Sequence, residues 1–242
     1  MSLIASARSL LERVPGKRVA VALSGGKDSV ALLDLAVRFL GKENVGAFFM
    51  QVAPTRLELR RIEFYARRVG VRCIVVPHWS LPNVLKGAVY RTRSLETDKL
   101  RLLRPGDIER YVRKKLGTDW VAIGEKASDS TFRNAKLRKW QGLCEKGRRV
   151  YALWNWKDKD VFAYLGARGI QVPKPLGPER NDRMNGLGLD GPTLLWMREA
   201  APDDYALILR WFPLAEAAVI REEKRRRAEA QSQDAGGEAR KG

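Results

Sequence analysis

Arg18-Val19-Ala20-Val21-Ala22-Leu23-Ser24-Gly25-Gly26-Lys27-Asp28-Ser29-Val30 is the stretch on which the reading of this chain turns. Its first half is apolar without alternation, the pattern of a parallel strand covered on both faces. It stops at a glycine pair. After Ser29, Val30, Leu32, Leu33, Leu35, Ala36, Val37 and Leu40 recur at helical spacing as far as Gly41, which can end the helix. Strand, glycine turn and helix in that order point backbone N–H groups outward together at a helix N-terminus, and an oxyanion is the complementary ligand. Gly25 and Gly26 permit close approach of the main chain, Ser24 and Ser29 offer hydroxyls, and Lys27 offers a charge. Asp28 can cap the helix or position a metal ion. The stretch is neither GxxxxGK[ST] nor GxGxxG, so the kinase-type and dinucleotide readings lack their motif. The plain alternative is an ordinary glycine turn capped by Asp28.

Outward from this stretch the βα order repeats. Residues 2–14 read as a short amphipathic helix closed by Pro15-Gly16, and strands are expected at 45–52, 73–76 and 120–124. Helices are expected at 55–69, 107–116 and 158–169. The fold class that follows is α/β: a doubly wound, right-handed, Rossmann-like parallel sheet with ligands at the carboxyl ends of its strands. Residues 77–105 read as loop and short helices, 125–133 as a polar loop and 151–153 as a short strand or the approach to one. The glycine, proline and asparagine of 173–192 suggest a loop or cover, and 194–197 and 205–212 read as packed helix. The domain expectation is therefore a nucleotide-binding α/β domain over 1–175, a loop and helical extension over 176–220, and a charged tail over 221–242 that frays into disorder.

Composition narrows the setting. With 242 residues the chain can bury a core without staples, and two cysteines, Cys73 and Cys144, far apart, argue against a disulfide scaffold or a zinc site of local ligands. No run approaches the roughly 20 apolar residues of a membrane span. The expectation is a soluble, cytoplasmic protein with no membrane partner. A net charge of +18 invites polyanionic partners, either nucleic acid (tRNA or DNA) or a charged nucleotide, although solvated helix faces carry charge of the same kind.

Three segments carry a family resemblance. Ser24-Gly25-Gly26-Lys27-Asp28-Ser29 resembles the SGGxDS signature of the PP-loop ATP pyrophosphatases, the adenine nucleotide alpha hydrolase-like proteins. Gly124-Glu125-Lys126-Ala127-Ser128-Asp129-Ser130 with Arg133 resembles the second loop of the phosphoadenosine phosphosulfate (PAPS) reductase-like branch. The segment from Leu153-Trp154-Asn155-Trp156 through Asp160-Val161-Phe162-Ala163-Tyr164-Leu165 resembles that branch's tryptophan-containing segment. Together the matches cover roughly residues 18–175. The resemblance implies an enzyme that binds ATP, cleaves between its α- and β-phosphates with Mg2+ present and adenylates an acceptor, with sulfur transfer as one use. PAPS is the alternative nucleotide.

The residues expected to bind the nucleotide are Ser24, Gly25, Gly26, Lys27, Asp28, Ser29, Gly124, Ser128 and Ser130. Those expected to act in catalysis are Lys27, Asp28, Lys126 and Arg133, and Asp28 is the candidate Mg2+ ligand. Lys126, Arg133 and Lys136 follow a strand end among serines and suit phosphate or sulfate contact. The chain departs from the branch's reductases in having no cysteine after Cys144, and it lacks the paired cysteines of an iron–sulfur cluster. Cys73 lies in an apolar run and reads as structural, whereas Cys144 beside Glu145 and Lys146 is a candidate for sulfur transfer. His78, just after a strand, can contact nucleotide, act as an acid or base, or pack on Trp79, and Trp154, Trp156, Phe162 and Tyr164 read as core. A nucleic-acid-binding module with an inactive loop is the reading from another class. The partners left open are nucleic acid, a thiol or sulfur-donor protein, and a second copy of the chain in a homodimer.

Overall fold

A computed structural model describes residues 2–172, 174, 177 and 188–238, with side chains to residue 232. The chain divides into two compact units, 1–52 with 58–82 and 101–174, and 53–57 with 83–100 and 175–242. The second also takes in 53–57 and 83–100, which sequence order alone does not group.

The first unit holds β1 (Val19–Ala22), β2 (Val45–Gln51), β3 (Cys73–Pro77), β4 (Trp120–Ala122), β5 (Leu143–Cys144) and β6 (Arg149–Val150) in one sheet of order β3-β2-β1-β4-β6-β5. All neighbours are parallel except β5 and β6. Its helices are α1 (Leu3–Glu12), α2 (Lys27–Leu40), most of α3 (Arg56–Val69), α6 (Pro105–Leu116), α7 (Thr131–Trp140) and α8 (Asp158–Ala167). Between α3 and α6 the chain forms two short helices, α4 (Leu81–Lys86) and α5 (Leu95–Asp98).

The continuous apolar run of β1 is explained by burial on both sides. Val19 and Val21 join the larger core with Leu32, Leu35, Ile62, Val161 and Leu165, while Ala20 joins Phe48, Ile108, Val112 and Val121 on the other face. Helices α1, α2, α3 and α8 thus cover one face and α6 the other, the doubly wound arrangement expected. Crossovers run outward from β1 to β3 and then return past β1 to β4, so the strand order reverses at β1 and β4, at whose carboxyl ends α/β sheets of this kind bind ligands. On the larger face α2 is tied to α8. Buried Asp34 accepts a hydrogen bond from the Tyr164 hydroxyl and pairs with Arg168 at 2.9 Å.

Where a polar loop was expected over 125–133, a 3-10 turn (Ala127–Asp129) leads directly into α7. This helix lacks an apolar stripe; only Leu137 is buried, and Ser130 starts it by accepting from the Arg133 N–H at 3.2 Å. The short strand expected at 151–153 lies one step earlier, as the β5–β6 hairpin, and Tyr151 follows it.

The second unit contains α5, α9 (Gly191–Ala200), α10 (Pro202–Trp211) and α11 (Glu216–Glu238). Asp190 caps α9, and the Asp204 carboxylate accepts from the N–H groups of Arg56 and Leu57 at 2.8 and 2.7 Å. The expectation of fraying beyond 221 is corrected, since α11 runs through this segment to Glu238. Alanine, arginine, glutamate and glutamine are strong helix formers, and Glu222 with Arg226 and Arg225 with Glu229 pair one turn apart. Low hydrophobicity concealed that propensity. The cover expected at 173–192 lies largely outside the described residues.

Candidate functional site

The chain leaves β1 through Leu23 and Ser24, turns at Gly25 with φ of +74°, and enters α2 with Gly26 as N-cap. No side chain caps this end, so the amides of Lys27, Asp28 and Ser29, first in the helix, have no intrahelical partner. The Ser29 hydroxyl donates to the Gly26 carbonyl at 2.9 Å and accepts from the Ser24 amide and hydroxyl, each at 3.2 Å. The two serines therefore brace the turn from within. Arg61 of α3 lies over Gly25, where an added Cβ would stand 2.7 Å from the arginine Cδ. Its guanidinium donates to the Lys174 carbonyl, and burial pulls its pKa down.

The second loop leaves β4 and meets the first at Gly124. A Cβ there would stand 3.2 Å from both the Asp28 carbonyl carbon and the Ser29 nitrogen, so the two loops approach main chain to main chain. Two residues on, Lys126 is 1 % exposed. Its ammonium lies 2.7 Å from Asp28 Oδ1, 3.0 Å from Asp129 Oδ1 and 3.2 Å from Asp158 Oδ1. Lys27 lies 3.5 Å from Asp28 Oδ2 and 3.4 Å from the same Asp158 oxygen. Burial by itself would pull the Lys126 pKa down; hydrogen bonding and charge from Asp28, then Asp129, outweigh it and hold it above the ordinary lysine value. Burial would raise Asp158, but Lys126 and then Lys27 bring its carboxyl below the usual range.

These contacts join three sequence-distant elements: the glycine loop through Asp28, the second loop through Lys126 and Asp129, and the start of α8 through Asp158. The candidate residues Ser24 to Ser29, Gly124 and Lys126 come together. Ser128 and Ser130 lie on the same second loop with local duties, the first donating to the Trp156 carbonyl at 3.0 Å and the second capping α7. Arg133 pairs with Asp129 at 3.2 Å, and Lys136 with Glu125 at 2.6 Å. Asp129 and Asp158 were missed as site residues. Asp129 lies in the second-loop motif and Asp158 opens α8, an acidic helix start; the lysines that each one meets are distributed over the two loops, and linear order does not show those contacts.

Over residues 18–176 the sequence matches the phosphoadenosine phosphosulfate reductase domain. The chain belongs to this family. The matched segment begins just before β1 and contains both loops and α8, so the family's extent coincides with the site. Comparison with curated proteins finds no match. Among solved structures, the NH3-dependent NAD synthetase from Campylobacter jejuni subsp. jejuni NCTC 11168, in complex with the nitrate ion, is similar over 71% of this chain and 75% of its own, at 16% identity and a TM-score of 0.47. No helix among the described residues is long and apolar enough to cross a membrane.

The donor set does not fit the Mg2+ ion expected on Asp28. Each Asp28 oxygen faces a lysine ammonium, and among the described residues no group of three or more His, Cys, Asp or Glu is arranged to hold a metal ion. Cys73 opens β3, where burial pushes its thiol up to about 11, and Cys144 is buried in β5 with Leu137 and Tyr151. His78 has Nδ1 2.6 Å from the Ser80 hydroxyl and its ring 5.4 Å from Trp79, and burial lowers its pKa. Trp156 and Tyr164 are core, as expected, with rings 5.7 Å apart, whereas Phe162 is exposed with Lys27 over its ring.

Proposed function

We propose that this member of the PAPS reductase domain family binds ATP at the glycine loop, cleaves it between the α- and β-phosphates, and transfers the adenylyl group to an acceptor. The observation that carries this reading is the uncapped N-terminus of α2, three adjacent amides with the Lys27 side chain, at the carboxyl end of β1 where the strand order reverses. In the transfer, a nucleophilic atom of the acceptor forms a bond to the α-phosphorus while the bond from that phosphorus to the bridging oxygen breaks. Pyrophosphate leaves with the electron pair. The loop amides and Lys27 stabilise the charge that develops on the leaving group, as preorganised donors do in phosphoryl chemistry. Lys126, Asp129 and Asp158 hold the two loops and α8 in register around that position, and Arg133 neutralises Asp129 from outside.

The PAPS reading is the second. It is favoured by the domain that the chain matches and disfavoured by its thiols, since one cysteine has its pKa raised by burial and the other is buried in a strand. The basic charge of +18 suits an acceptor carried on nucleic acid. Incubation with ATP and with PAPS separates these readings. The first requires ATP binding, with AMP and pyrophosphate formed together when an acceptor from a tRNA or protein fraction is added. Sulfite released from PAPS with a dithiol protein would establish the second, and titrations flat for both nucleotides would remove both.

A further inference from the structure

The geometry points to Lys126 as the resident cation of this site: its ammonium sits among Asp28, Asp129 and Asp158 and supplies the positive charge there, so the nucleotide binds without a divalent metal. The inference rests on the adenine-nucleotide reading above and adds the cation requirement to it.

The Lys126 side chain is 1 % exposed, and its ammonium lies within 2.7 to 3.2 Å of one oxygen from each of three carboxylates. A lysine ammonium carries a single positive charge, and here three carboxylate oxygens, drawn from three different segments, lie within ion-pair distance of it. A carboxylate trio at the mouth of an anion loop would repel an incoming polyphosphate unless a cation offset it. Lys126 supplies one charge from within, Lys27 a second from the glycine loop, and Arg133 a third on Asp129. Three cationic and three anionic side chains leave the cluster formally neutral, and the amides at the start of α2 stay available to the phosphate.

The main chain holds Lys126 in place. Its own N–H donates to Asp129 Oδ2 at 3.0 Å, and Gly124, two residues before it, is pressed against the backbone of Asp28 and Ser29. The ammonium is thus delivered by the same close approach that joins the two loops. Removing it would expose three carboxylates to one another, and a divalent ion would then be the natural substitute.

The test is equilibrium dialysis of ATP against the full-length chain in EDTA and in magnesium chloride, with electron paramagnetic resonance of Mn2+ added to nucleotide-free protein. Affinities in EDTA and in magnesium that agree within about twofold, with no stoichiometric Mn2+ bound by the wild type, are expected. ATP binding that requires magnesium, or one Mn2+ per nucleotide-free chain, overturns the inference and leaves the nucleotide reading intact. Absence of ATP binding in both buffers removes that reading itself, and the inference with it. In Lys126→Ala, one Mn2+ per chain should appear, and ATP affinity in EDTA should fall by more than about tenfold and recover in magnesium. Lys126→Arg should retain binding in EDTA. A folded Lys126→Ala that takes up no Mn2+ counts against the proposal, and the wild-type arms decide the question should that variant fail to fold.

Discussion

Gly124→Ala isolates the contact on which the two-loop site depends. Gly124 is not among the glycines with positive φ, so alanine fits its backbone, and the loss of unfolded-state freedom alone would favour the variant by about 0.4–1 kcal/mol. Against this, the new methyl would meet the Asp28 carbonyl carbon and the Ser29 nitrogen at 3.2 Å and the Asp28 oxygen at 3.3 Å. Carbon atoms prefer about 3.5–4.0 Å, so the loops must part by a few tenths of an ångström. All three neighbours are main chain at the start of a 14-residue helix and cannot rotate away. Overpacking of this kind costs about 1–3 kcal/mol, which leaves a net loss of up to about 2.6 kcal/mol, centred a little above about 1 kcal/mol. The effect on ligand should exceed the effect on folding, because the displaced Ser29 N–H is one of the proposed phosphate donors; ATP affinity should fall about tenfold or more. Urea unfolding gives the first quantity and calorimetric titration with ATP the second. A variant more stable than the wild type, with unchanged ATP affinity, would refute the reasoning.

Gly25→Ala forces a side chain into a left-handed conformation at φ +74° and against the Arg61 stem; it should lower stability by about 1–2 kcal/mol in urea and abolish ATP binding. Tyr164→Phe removes the hydroxyl donated to buried Asp34 and should cost about 1–3 kcal/mol in the same assay, with ATP affinity unchanged because this bond lies between α2 and α8 away from the loops. The pH dependence follows from the lysine–carboxylate cluster. Asp158 is held below the usual carboxylate range, so its stabilisation is complete above that range and is lost on acidification. Lys126 is raised, so its share is complete below the ordinary lysine value and is lost only as pH climbs past it. Asp158→Asn should flatten the acid limb of a stability-versus-pH curve and leave the alkaline limb; an unchanged acid limb would show that the ion pairs carry no weight.

The fold was legible because β1, β2 and β4 are buried on both faces and so read as unbroken apolar runs, while α2 and α6 carry apolar positions at helical spacing. The glycine loop was legible because its backbone demands are written in residue types. Helix α7 was not, since its only buried residue is Leu137 and its start depends on a serine cap. Helix α11 was hidden for a related reason: pairs such as Glu222 with Arg226 stabilise it without any apolar signal that distinguishes helix from tail. At the site, sequence assigned the positive charges and overlooked their partners. Lys126 looked like a phosphate ligand because nothing in the linear order shows Asp28, almost a hundred residues earlier, lying 2.7 Å from its ammonium.

The most direct measurement is a 1H–15N correlation spectrum of the labelled chain titrated with ATP. The amide resonances of Gly25, Gly26, Lys27, Asp28 and Ser29 should shift first and furthest, together with Gly124 and Lys126, and saturate with one affinity. Shifts confined to residues outside the two loops, or none at all, would contradict the claim that the turn between β1 and α2 grips the anion of an adenine nucleotide.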